Sequence, residues 1–90
     1  MSVRIEIPAF LEDLTCGIKV VSVEGKTVGE CLNSLVDRFA GTKELLFDKD
    51  DRLLGYIDVY INGASVFPEE LSKPVHEGDT ISMLYLVVGG

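Results

Sequence analysis

Thr27-Val28-Gly29-Glu30-Cys31-Leu32-Asn33-Ser34-Leu35-Val36-Asp37-Arg38-Phe39-Ala40-Gly41 decides the fold. Val28, Cys31, Leu32, Leu35, Val36 and Phe39 recur at the helical spacing i, i+3, i+4, i+7, i+8 and i+11, which draws one apolar stripe on a helix. Thr27 is placed to cap the start, and Glu30 three residues on completes a capping box. Gly41 is placed to stop the helix in the left-handed conformation.

Strands flank this helix on both sides. Val3, Ile5 and Ile7 alternate with Arg4 and Glu6, giving a half-buried strand that Pro8 weakens. Residues 9–16 connect it, with Phe10, Leu11 and Leu14 turned toward apolar surface, to a second run over 18–23. After the helix, Lys43 to Phe47 predicts one more helical turn. Ile57-Asp58-Val59-Tyr60-Ile61 alternates again, and Asn62-Gly63 predicts a tight hairpin into a return strand near 65–67. Residues 68–74 read as loop with a single helical turn at 69–71. Glu77-Gly78-Asp79 turns the chain into a last strand over 80–87. The order is β-β-α-β-β-β, with the first and last strands expected to pair centrally. This is an α+β chain: a mixed four- to five-stranded sheet packed on one main helix.

Alternation also assigns faces. Ile57, Val59, Ile61, Ile81 and Met83 should meet the helix, with Tyr85 on their side. Leu84, Leu86 and Tyr60 should point outward, as a candidate partner surface.

The chain of 90 residues and net charge −7 supports one domain, 1–86, followed by an extended tail, 87–90. Acidity disfavours phosphate backbones and hence nucleic acid, and suits a basic protein partner. No apolar run approaches a membrane span, and the first residues lack the pattern of a signal peptide, so a cytoplasmic protein is expected. Cys16 and Cys31 make no disulfide framework; Cys31 falls on the apolar helix face, where a buried thiol is expected, and Cys16 falls in a loop. Two cysteines and one histidine, His76, are too few for an iron–sulfur centre. Asp48-Lys49-Asp50-Asp51 has Leu53 and Val59 where a calcium loop needs glycine and glutamate, so no metal site is expected. No glycine-rich phosphate loop or nucleophile–base constellation stands out.

The sequence closes on Val87-Val88-Gly89-Gly90. Glycine is about 7% of average proteins, so a chance Gly-Gly end occurs on the order of 0.5% of the time. Such an end can thread a narrow channel, because glycine has no Cβ, and it leaves the Gly90 carboxylate sterically open. That carboxylate can be adenylated by ATP and converted to a thiocarboxylate, with no catalytic side chain in the carrier.

Thr27-Val28-Gly29-Glu30, Ile57 to Gly63, Glu77-Gly78-Asp79-Thr80-Ile81 and Gly89-Gly90, in this order, resemble the MoaD/ThiS family of ubiquitin-like sulfur carriers. The resemblance implies a β-grasp fold and a carrier rather than an enzyme, though one able to act as the small subunit of a molybdopterin synthase. It implies activation at Gly90 by an E1-like (MoeB/ThiF-like) adenylating enzyme that consumes the ATP. Gly89, Val88 and Val87 would thread that enzyme, and Leu84, Leu86 and Tyr60 would bind it. It further implies a sulfurtransferase or persulfide donor, and an acceptor: the large subunit of molybdopterin synthase, a cysteine synthase or a thiazole synthase. The opening Ile7-Pro8-Ala9-Phe10-Leu11, with Thr15 and Gly17, and the segment 43–56 look like the cysteine-synthesis carriers. Molybdopterin and cysteine synthesis rank together, with thiamine third. A protein modifier conjugated to lysine through Gly90, and a non-covalent β-grasp interaction module, are the alternatives.

Overall fold

The computed structural model describes residues 2–86. The chain runs β1 (Ser2–Glu6), a 3-10 helix (Ala9–Thr15), β2 (Val20–Glu24), α1 (Val28–Arg38), α2 (Thr42–Leu46), β3 (Ile57–Ile61), β4 (Ala64–Ser65) and β5 (Thr80–Tyr85). One five-stranded sheet has the order β2-β1-β5-β3-β4. β1 and β5 are parallel at its centre, with Ile5 opposite Ile81, and every other pairing is antiparallel. The expected central pairing of the two end strands is therefore present, and the fold is the ubiquitin-like β-grasp.

The stripe read from the sequence is the core. Val28, Cys31, Leu32 and Leu35 are fully buried, and Val36 and Phe39 pack half-buried beside them. They cover the inner sheet face of Val3, Ile5, Val21, Val23, Val59, Ile81 and Met83. Burying a leucine of this kind contributes about 2 kcal/mol. Burial raises the Cys31 thiol pKa, with Glu30 adding to the effect.

Local chemistry sets the boundaries. Thr27 Oγ1 accepts the Glu30 N–H at 3.2 Å, as a capping threonine should. Glu30 Oε1 returns to the N–H of Lys26 (2.9 Å) rather than of Thr27, so the box is one residue wider than expected. The remaining amides at the helix start are taken by a loop: Val28 N–H donates to Lys73 O (3.0 Å) and Gly29 N–H to Leu71 O (2.9 Å). A side chain at Gly29 would press its Cβ to 3.0 Å from that Leu71 oxygen, which accounts for a glycine in the first turn.

Several expectations shift. The helix ends at Arg38, with Phe39 extended as its cap; Gly41 is left-handed (φ 90°), but it starts α2 instead of stopping α1. The connection 9–16 is a 3-10 helix, closed by Cys16 and Gly17 at positive φ and latched by buried Thr15, whose hydroxyl donates to Ile18 O at 3.0 Å. β2 begins at Val20, leaving Ile18 exposed. Asn62 and Gly63, both at positive φ, make the predicted hairpin, but β4 is only two residues long. Residues 69–71 form no helix; Ser72 and Lys73 N–H both donate to Glu69 O. β5 stops at Tyr85, and the expected extension to Val87 falls outside the described residues. So does the tail 87–90 of the anticipated domain division.

Gly25 is where packing is tightest. An added Cβ would fall 2.8 Å from Cys31 Sγ and 2.9 Å from the Cys31 backbone nitrogen. Overpacking of this kind costs about 1–3 kcal/mol. Gly25→Ala should destabilise the domain by about 2 kcal/mol in urea unfolding, although alanine is the stiffer residue in the unfolded chain. Stability equal to wild type would show that the β2–α1 turn can open.

The turn before β5 carries a pH-dependent contribution. Asp79 accepts from the His76 N–H (2.8 Å) and from Asn62 Nδ2 (3.0 Å). The His76 backbone bond, then Asn62, hold its carboxyl below the ordinary aspartate value of 3.8. A depressed carboxylate stabilises the fold fully above that ordinary value, and its contribution is lost as pH falls through the lower folded value. Stability should therefore drop below about pH 4, and Asp79→Asn should flatten that part of the curve in denaturant titrations at stepped pH.

Candidate functional site

The site is the end of the sheet at which β5 finishes. β1 runs parallel to β5 and β2 antiparallel to β1, so the end of β1 and the start of β2 lie at that same end. The last rung among the described residues is the Leu86 N–H donating to Tyr56 O at 2.6 Å. Gly90, Gly89, Val88 and Val87, the residues assigned to the chemistry and to threading, lie outside the described residues.

The outward face is where alternation placed it. Leu84 is 55% exposed and Leu86 45%, with Val20 of β2 exposed on the same sheet face. Tyr60 is half-buried on that face. Interaction with the Asp58 carboxylate, two residues back, raises its phenol pKa ahead of burial, since it favours the protonated form. Asp58 Oδ1 accepts from Ser65 Oγ (3.1 Å), and Asp58 stands opposite Leu84 in the ladder. A carboxylate is thus built into the apolar face.

One residue of this surface was not read from the sequence. Phe67 follows β4, is 74% exposed, and lines a shallow hollow of about 360 Å³ with Leu53, Asp58, Glu70 and Leu86. Its signal was available: an apolar ring directly after a hairpin return and before Pro68 has no strand partner to bury it. The inner side of the same sheet end was also missed as a unit. Phe10 meets Tyr85 edge-on (centroids 4.7 Å, 89°), and Tyr56 stacks on Tyr85 (4.8 Å, 25°). The three rings come from distant stretches of chain, so no local pattern announces them.

Other features do not converge here. A cleft of about 440 Å³ lies between α1 and residues 43–51, on the helical side of the sheet away from Leu84. Among the described residues, no three His, Cys, Asp or Glu side chains are grouped to hold a metal ion. No helix there is long and apolar enough to cross a membrane. Cys16 is exposed, Cys31 buried, and His76 is at the surface, 3.8 Å from Asp79.

A β-grasp domain with an exposed apolar strand face beside its C-terminal strand is the architecture of ubiquitin-like carriers. The chain belongs to the ThiS family, whose model matches residues 5–90. It is similar to a chain of the Amycolatopsis orientalis BexX/CysO complex, at 37% identity and TM-score 0.86 over 98% of this chain and 99% of that one. CysO of Mycobacterium tuberculosis, described as an antigen, is 31% identical with TM-score 0.85, over 94% of this chain and 99% of that one. SAMP1 of Haloferax volcanii is 27% identical with TM-score 0.85 over the whole of both chains. No curated protein sequence matches.

Proposed function

We propose that the chain carries sulfur as a thiocarboxylate at Gly90, with Leu84, Leu86, Phe67 and Tyr60 docking an E1-like adenylating enzyme and then an acceptor synthase. The observation that carries this reading is the exposed Leu84–Leu86 face on the strand that runs into Gly89-Gly90, in a member of the ThiS family. A carboxylate oxygen of Gly90 attacks the α-phosphorus of ATP in the partner, and pyrophosphate leaves. Hydrosulfide then attacks the acyl carbon and AMP leaves. Where a sulfurtransferase persulfide is the donor, its terminal sulfur attacks and AMP leaves. A second thiol then cleaves the resulting acyl disulfide, becoming oxidised to a disulfide with the donor cysteine and releasing the thiocarboxylate. The carrier's task is positioning, which is what converts a weak carboxylate nucleophile into a competent one.

For the acceptor we favour a cysteine synthase, with the molybdopterin synthase large subunit second and a thiazole synthase third. The opening Ile7 to Gly17 and the likeness to two CysO chains support that order. Lysine conjugation is the second reading, favoured by the likeness to SAMP1, whose Methanosarcina acetivorans counterpart is described as a small archaeal modifier protein.

The test is intact mass after incubation with an adenylating enzyme, ATP and sulfide. Exchange of one oxygen for sulfur, mapped to Gly90 by fragmentation, is the expected result. A ladder of conjugates in extract with no thiocarboxylate would favour the modifier. No change with any adenylating enzyme of the source organism would leave a non-covalent interaction module.

A further inference from the structure

The strand that leads to Gly90 ends in a ring cluster that the core does not require. Tyr85, the last residue of β5, shares the inner-face parity of Ile81 and Met83, yet it is 46% exposed while those two are buried. Phe10 comes to it from the 3-10 helix and Tyr56 from the loop before β3. Tyr56 holds the exit twice. Its ring stacks on Tyr85, and its carbonyl takes the Leu86 N–H. The neighbouring Tyr56 phenol raises the Tyr85 pKa. Three stretches of chain therefore close on the last residues before the tail, on the side of the sheet opposite Leu84.

We propose that Phe10, Tyr56 and Tyr85 form a clamp that fixes where and in which direction the chain leaves the sheet, making Tyr85 a positioning residue for the reaction at Gly90. This deepens the carrier reading and rests on it. With the clamp closed, the tether beyond Leu86 is residues 87–90 and spans at most about 14 Å. With Tyr85 and Leu86 released, it is residues 85–90 and spans about 21 Å. The volume open to the carboxylate then grows about threefold, since it scales as the cube of that reach, and its direction of approach is lost as well. The loss falls on the chemical step. Leu84 and Phe67 are held by their own segments and continue to dock, so docking loses only the loosened Leu86 contact.

The experiment follows AMP release by an adenylating enzyme with ATP and sodium hydrosulfide, for wild type, Tyr85→Ala, Tyr85→Phe and Phe10→Ala. Amide hydrogen exchange is read by NMR on the same samples. Tyr85→Ala should lower kcat at least threefold, with any rise in KM from the loosened Leu86 contact smaller than that fall. It should also speed Leu86 amide exchange at least tenfold while the Val59 and Ile81 amides keep their protection. Tyr85→Phe, which keeps both ring contacts, should stay within twofold of wild type. Phe10→Ala, altering a different segment, should shift kcat and Leu86 exchange in the same direction as Tyr85→Ala. An unchanged kcat in Tyr85→Ala, a loss confined to KM, or unchanged Leu86 exchange would overturn the clamp. Absence of AMP release by wild type would instead overturn the carrier reading, and the exchange data would still decide whether the rings hold the exit.

Discussion

Adding one alanine after Gly90 is expected to reduce thiocarboxylate formation by more than about 100-fold, to the background of the assay. The added residue displaces the reacting carboxylate by about 3.5 Å along the tail. It also puts a Cβ next to the acyl carbon, where glycine left none. A misplacement of about 1 Å already costs on the order of 100-fold in an oriented reaction. Because the change is attached outside residues 2–86, which hold the described core and docking face, melting and docking are expected to equal wild type. The check is AMP release and intact mass beside a binding titration. Unchanged activation of the extended chain would sink the terminal-carboxylate mechanism.

Replacing Leu84 by aspartate should weaken the adenylating enzyme's binding about 30-fold, the scale of losing an apolar anchor of about 2 kcal/mol. The new carboxylate would also stand directly across the ladder from Asp58. Like charges so placed cost the fold only about 0.2–1 kcal/mol, and Leu84 is already 55% exposed. The expected result is a protein with a small loss of melting temperature and a large loss of affinity by calorimetric titration. Full-strength binding would move the docking surface elsewhere, and unfolding would mean that Leu84 is not on an outward face. Leu84→Ala separates the two contributions: it removes the anchor without adding charge.

Acidity acts on the same surface. Asp58 and Glu70 border the hollow that Phe67 and Leu86 line, and the whole chain carries a net charge of −7. An apolar contact rimmed by carboxylates suits a basic partner surface, and its association should slow as salt rises.

Much of the fold was legible because its signals are local. The stripe from Val28 to Phe39 repeats within one helix, the Thr27–Glu30 bond spans one turn, and Asn62-Gly63 makes its turn from its own two residues. Strand parity is equally readable: alternation points Leu84 and Leu86 outward, and both are exposed. Boundaries that depend on a neighbour were misread. Gly41 has the left-handed conformation expected of a helix stop, yet α1 has already ended at Arg38, because Phe39 turns extended to pack on the core. Tyr60 lies on the face that alternation gives it, but it is half-buried there rather than fully exposed.

Spacing along the chain is enough to give a two-layer α+β domain, the order of its elements and the outward leucines. Three-dimensional packing is needed to bring Phe10, Tyr56 and Tyr85 together where β5 ends, to set Phe67 beside Leu86 at a hollow, and to let the loop carbonyls of Leu71 and Lys73 finish the start of α1. The physical reason is separation. These contacts join residues tens of positions apart, and side-chain periodicity records which face a residue takes but not which distant residue will be waiting there.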